Sequence, residues 1–181
     1  MKIGAQEFLK THGASWTAQR APEYSVVNIH VAEIPALPVR IFPELARPGL
    51  LTPGGGWRLL MGIRMAAGKL FGWDRGLETH EREPLEVGKH YAFFRIEHVD
   101  APREVGMSAR NRLTEALMSW VLDEDASGGT RVYNVTCANF FGWRGQAYWR
   151  MIERFHDGIV EASLVELKRT LGEPARDRPE A

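Results

Sequence analysis

Between Tyr24 and Ile34 apolar and polar residues alternate, with Val27, Ile29 and Val31 on one side, and this period of two predicts a strand. Prolines 35, 38, 43, 48 and 53 argue against regular structure until Gly54-Gly55-Gly56. The period then lengthens. Leu59, Leu60, Ile63, Ala66, Ala67, Leu70 and Phe71 recur at helical spacing as one apolar stripe, and Gly72 can adopt the left-handed conformation that ends a helix.

Beyond a charged connection over residues 74–89 the period of two returns four times. Phe94, Ile96 and His98 oppose Arg95 and Glu97. Val105, Met107 and Ala109 oppose Ser108 and Arg110, and Ala116, Met118, Trp120 and Leu122 oppose Glu115, Ser119 and Asp123. After a hairpin loop over Asp123–Gly129, Tyr133, Val135 and Cys137 oppose Asn134 and Thr136. Phe93, Leu117, Val121 and Val132 interrupt the alternation, so the outer face is not wholly polar. A helical pattern from about Gly145 to Leu171 closes the chain, with Ile152, Phe155, Ile159, Ser163, Leu164 and Leu167 as its stripe. At 1.5 Å per residue it reaches about 40 Å, enough to cross a whole sheet. Antiparallel strands followed by one long amphipathic helix define an α+β plan with the helix on one face. Residues 1–23 read as a weakly patterned lead-in with one helical turn. Residues 172–181, charged and proline-bearing, read as a frayed tail beyond a single domain over residues 1–171.

Composition narrows the function. The 181 residues carry 23 Lys+Arg against 23 Asp+Glu, and 44% are hydrophobic. That balance is globular and excludes a strongly basic nucleic-acid module. No apolar run approaches the roughly 18–20 residues that span a bilayer, and the amino terminus lacks a secretory signal. Cys137 alone permits no intrachain disulfide, which makes a reducing cytoplasm the expected compartment.

Few motifs carry chemistry. Gly62–Lys69 is one residue too long for a phosphate-binding loop, and Leu70 stands where Ser or Thr would hold magnesium. Histidines 12, 30, 80, 90, 98 and 156 include no pair at metal-ligand spacing on one short element, and no metal or cofactor is expected. No serine sits in a nucleophile elbow. Cys137, in mid-strand among apolar neighbours, reads as a buried inert thiol. The tryptophans at 16, 57, 73, 120, 143 and 149 either seal a core or line a hydrophobic pocket. The inward set Phe94, Ile96, Met107, Met118, Trp120 and Tyr133 suits both roles.

The segments GWRLLMGIRMAAGKLFGWD, YAFFRIEHVDAPREVGMSARNRL, LTEALMSWVLDE and TRVYNVTCANFFGWRGQAYWRMIERFHDGIVEASLVELKR resemble a bacterial family catalogued as domain of unknown function 2867, over about residues 24–170. The resemblance implies a helix-grip fold similar to START and polyketide-cyclase-like domains. In that fold a curved antiparallel sheet wraps the C-terminal helix around an apolar cavity. It supplies no reaction.

Three functions stay open on these grounds. The first is binding of a small hydrophobic or amphipathic ligand among Phe94, Ile96, Met107, Ala116, Met118, Trp120 and Tyr133, beneath Phe155 and Ile159. The second is a cyclase-, dehydratase- or hydrolase-like enzyme, for which the strand parity turns His98 inward as the titratable candidate, with Tyr133 as a weaker donor. The third is a homodimer through Phe93, Leu117, Val121 and Val132.

Overall fold

The computed structural model describes residues 1–47, 50, 55–73 and 84–172. Of the frayed tail expected over residues 172–181, Gly172 instead ends the last helix; the remainder, most of the charged connection and His80 lie outside the described residues. The lead-in is more ordered than its weak pattern predicts: β1 (Lys2–Ile3), α1 (Ala5–His12) and α2 (Trp16–Arg20) precede β2 (Val26–Ile34). The proline-rich stretch forms a short α3 (Pro38–Ile41) and a 3-10 turn over Phe42–Ala46, because proline fits the first turn of a helix, where its missing N–H is not needed. Next come α4 (Gly55–Leu70), β3 (His90–Tyr91), β4 (Phe94–Asp100), β5 (Glu104–Arg110), β6 (Thr114–Glu124), β7 (Thr130–Phe140) and α5 (Gly142–Gly172).

The strands form one antiparallel sheet in the order β1-β2-β7-β6-β5-β4-β3. Gly142, at φ +60°, turns the chain out of β7 directly into α5, a conformation that costs glycine nothing. α5 then folds back over the concave face for 31 residues, about 46 Å. The helix-grip arrangement expected from the sequence is the one observed. Within it Phe94, Ile96, Met107, Met118 and Trp120 share one core with Val160, Leu164 and Leu167 of α5 and with Ile41 and Leu45.

The convex face is buried too. Phe8 and Ala18 of the lead-in helices cover Ile29, Val31, Leu117, Val121, Tyr133, Val135 and Cys137. Leu117 and Val121 are therefore internal, and Val132 belongs to the concave core. Three of the four residues expected to mediate homodimer contact are thus internal, and the fourth, Phe93, is half-buried against the concave core. Burial on both sides also explains the misplaced parity of β7, where apolar content selected the convex set and left Asn134 and Thr136 assigned to solvent.

α2 is fastened to the sheet by polar and steric means together. The buried Glu104 carboxylate accepts the N–H groups of Trp16 (3.1 Å) and Thr17 (2.7 Å), and Ser15 Oγ accepts that of Ala18. This satisfies the free donors of the first turn. The Trp16 ring lies flat over Gly106, where a Cβ would come within 2.2 Å of it. Gly106→Ala is expected to destabilise by about 1–3 kcal/mol through overpacking. The same change made in Trp16→Ala should be nearly neutral, and urea midpoints of the four proteins measure the coupling. Burial also pushes the Cys137 thiol up to about 12, so a thiol reagent should label the native chain only at its rate of unfolding.

Candidate functional site

The strand register sorts the concave face into rows. Val105, Trp120, Asn134 and His30 form one, and Ile96, Met107, Met118, Thr136 and Asn28 form the next. The following row is Ala109, Ala116 and Ala138 with Val26. Methyl groups on three adjacent strands leave this end of the floor shallow. Ile96, Val105, Met107 and Trp120 are sealed, whereas Ala109, Ala116 and Thr136 stay partly open. The concave face thus has a solid end under the C-terminal half of α5 and a looser end toward its N-terminal half.

α5 turns Trp149 and His156 to the sheet side at a spacing of two turns. Trp149 stacks on Phe140 at 5.0 Å, and His156 meets Trp149 at 5.7 Å and 61°. Asp157 takes three strand donors: Lys2 Nζ donates at 2.6 Å, Asn28 Nδ2 at 2.7 Å and His30 Nε2 at 3.3 Å. Burial alone would raise the Asp157 pKa. The hydrogen bonds from Lys2, Asn28 and His30 outweigh it and hold the carboxyl below its usual range.

Burial lowers the pKa of His30 against the opposing effect of Asp157, so the ring is neutral at pH 7. Its Nε2 proton goes to the carboxylate, which leaves Nδ1 as a lone-pair acceptor. That Nδ1 has no hydrogen-bond partner, with Glu161 Oε1 at 3.8 Å. Burial pushes His156 down to about 4, and its Nδ1 also lacks a partner. Asn134, registered beside His30, accepts weakly from Thr136 Oγ1 at 3.4 Å, while its Nδ2 donor is unpartnered. Three buried polar atoms without partners therefore collect around Asp157 and the row beside it. Native interiors leave few such atoms.

The expected site residues divide between these regions. Ile96, Met107 and Trp120 are solid core, Phe94 and Met118 border the looser end, and Ala116 lies in the alanine row. Tyr133 is on the convex face, 5.6 Å from Phe8 and 4.6 Å from His12. Phe155 points outward at 47% exposure, and Ile159 is half-buried on the flank of α5.

His98 also belongs to the convex side. A β-bulge between Ile96 and His98 inserts one residue and reverses the parity, so His98 pairs with Gly106 and stacks on Trp16 at 5.3 Å and 6°. Sequence reasoning missed Asn28, His30, Asn134, His156 and Asp157. The available signal was Asn28 and His30 standing among the apolar residues of one strand. Among the described residues no three His, Cys, Asp or Glu side chains come together as metal ligands would.

A curved antiparallel sheet gripping one long C-terminal helix, with a polar cluster between them, places this chain among α+β helix-grip proteins. It belongs to the family described as protein of unknown function (DUF2867), whose profile matches residues 23–163. The fold is similar to that of a Mycobacterium smegmatis protein at 14% identity, covering 85% of this chain and 94% of that one with a TM-score of 0.52. It is equally similar to an Arthrobacter aurescens protein at 13% identity, covering 87% and 94%, TM-score 0.52. A Rhodobacter sphaeroides protein follows at 16% identity, covering 81% and 91%, TM-score 0.50. No curated protein matches the sequence.

The depressed histidines make stability pH-dependent. A histidine whose folded pKa lies below its unfolded value takes up its proton on unfolding. Its contribution is complete above about pH 6.5 and is lost as pH falls toward the folded pKa. Between pH 7 and 5 His156, held near 4, should remove about 2 kcal/mol, and His30 adds in the same direction. Urea midpoints at the two pH values should show this loss. His156→Gln should flatten it, and an unchanged slope would place the effect elsewhere.

Proposed function

We propose that the chain binds a small amphipathic molecule between the alanine row and the N-terminal half of α5. Its apolar part would rest on Ala109, Ala116, Ala138 and Met118, and its polar end would reach Asn134, His30 and His156. The observation that carries this reading is the group of three unpartnered buried polar atoms, Asn134 Nδ2, His30 Nδ1 and His156 Nδ1. Each costs about 1–3 kcal/mol if left desolvated and unbonded. Asn134 offers a donor and His30 an acceptor, and the Asp157 carboxylate lies beside them. This combination favours a neutral head such as a hydroxyl or a carboxamide over an anion.

Acid–base catalysis is supported less well. A group near 4 is unprotonated at pH 7 and is a weak base, far from the matched pKa that proton transfer favours. His98, the residue that the strand alternation offered, stacks on Trp16 on the other face. Binding without chemistry is the reading these groups support.

Two substitutions test it. Ala116→Phe would fill the shallow floor. It should fold with a loss of about 1–3 kcal/mol and abolish the saturable uptake of an environment-sensitive apolar dye that the wild type binds stoichiometrically. Asn134→Leu removes an unpaired donor, so it should keep or raise stability while weakening retention of hydroxyl-bearing ligands in native mass spectrometry. A wild type without saturable dye binding, combined with an unfolded Ala116→Phe, would mean a solid core and end the proposal.

A further inference from the structure

We infer that the outer faces of α4 and of the N-terminal half of α5 form a docking surface for an anionic phospholipid bilayer. The sequence pattern gives α4 one apolar stripe, which in a globular chain would face the core. Instead Leu59, Ile63 and Leu70 are exposed, Leu70 at 81%, and Phe71 beyond the helix is 62% exposed. α5 does the same on the side away from the sheet, where Trp143, Met151 and Phe155 are exposed, Trp143 at 74%. The two helices touch at Tyr148. Its hydroxyl accepts from Arg64 Nε of α4 at 3.1 Å, and its ring lies 6.0 Å from that of Trp73.

Exposed apolar residues in such number mark an interaction surface, and the charges around them select the partner. On α5 the exposed Arg144, Arg150 and Arg154 lie among Trp143, Met151 and Phe155, and Glu153 is the one acidic residue between 141 and 156. The Arg144 guanidinium lies 5.4 Å from the Trp143 ring centroid. In a chain of zero formal net charge, this is a local concentration of cations.

Basic side chains around exposed Leu, Ile, Trp and Phe are the composition of an interfacial helix. Headgroup phosphates would take the arginines while the apolar residues enter the acyl boundary. A second copy of the chain would bring the same arginines together with Glu153 alone to meet them. A nucleic acid would satisfy the arginines and leave Leu59, Ile63, Leu70 and Met151 in water. The inference does not depend on what the sheet and α5 enclose.

The full chain is sedimented with vesicles of phosphatidylcholine alone and of phosphatidylcholine with one-quarter phosphatidylglycerol. Binding is expected on the anionic vesicles, with little on the neutral ones and release at about 0.5 M salt. Each cation near an anionic surface contributes about fivefold, so Arg150→Gln with Arg154→Gln should weaken binding by more than tenfold. Leu59→Ser with Ile63→Ser should weaken it independently. These side chains are exposed, and circular dichroism verifies that each variant is folded. Equal binding to both vesicles, binding to neither, or anionic binding indifferent to both variants would overturn the inference. So would an arginine-dependent affinity for oligonucleotides without vesicle binding, or a dimer that Leu59→Ser with Ile63→Ser dissolves.

Discussion

Asn28 and His30 are turned from β2 into the interface between sheet and helix, and Asp157 of α5 meets them there. Left alone, each strand group would carry the penalty of a buried unpaired polar atom. A hydrogen bond to a charged partner contributes about 1.5–3 kcal/mol. The contact therefore does more than stabilise. It fixes where along its length the long helix crosses the sheet, because sliding α5 by one turn would strand the carboxylate and its donors together. Lys2 of β1 completes the set at 2.6 Å, tying the amino terminus to the same point.

With the crossing fixed there, the two halves of α5 meet different floors. Toward its C-terminus, Val160, Leu164 and Leu167 join a core containing Trp120, Leu122 and Val132, all buried. Toward its N-terminus, Trp149 and His156 come before Asp157, and the sheet carries the alanine row. One end holds the molecule together, while the other has small side chains and borders the unpartnered atoms of Asn134, His30 and His156. The separation would let the proposed ligand rest on the alanine row without drawing on the apolar contacts of the solid end.

The opposite face of the sheet imposes a second constraint. Phe8, Trp16 and Ala18 cover it, and Glu104 anchors the helix that carries two of them. Residues 1–23 look dispensable as a pattern, yet without them Ile29, Val31, Leu117, Val121 and Val135 would face water. At about 25 cal/mol per Å² of apolar surface, exposing five such side chains would cost several kcal/mol.

Local periodicity was enough to read β2 and β4 to β7, the helices α4 and α5, the hairpin before β7 and the α+β class, since each is written in the spacing of neighbouring residues, whereas the helix grip was implied by the family resemblance. The inward positions of β5 and β6 were legible for the same reason, because one of their two faces carries polar residues such as Ser108 and Glu115. Alternation failed where both faces are apolar. In β7 it placed Tyr133 inside and Asn134 outside, and only cross-strand register to Trp120 reverses them. It failed at His98 because a bulge is a property of the strand pair and not of one strand. It failed at α4, where Leu59, Ile63 and Leu70 are exposed and nothing in their spacing says so. The polar cluster of Asn28, His30, Asn134, His156 and Asp157 joins three elements far apart in sequence, so only the tertiary structure could assemble it. Sequence determined which segments are strand and which are helix, because that choice is made over a few residues. Which face of each is buried, and which polar groups meet there, was decided by what the rest of the chain laid on either side of the sheet.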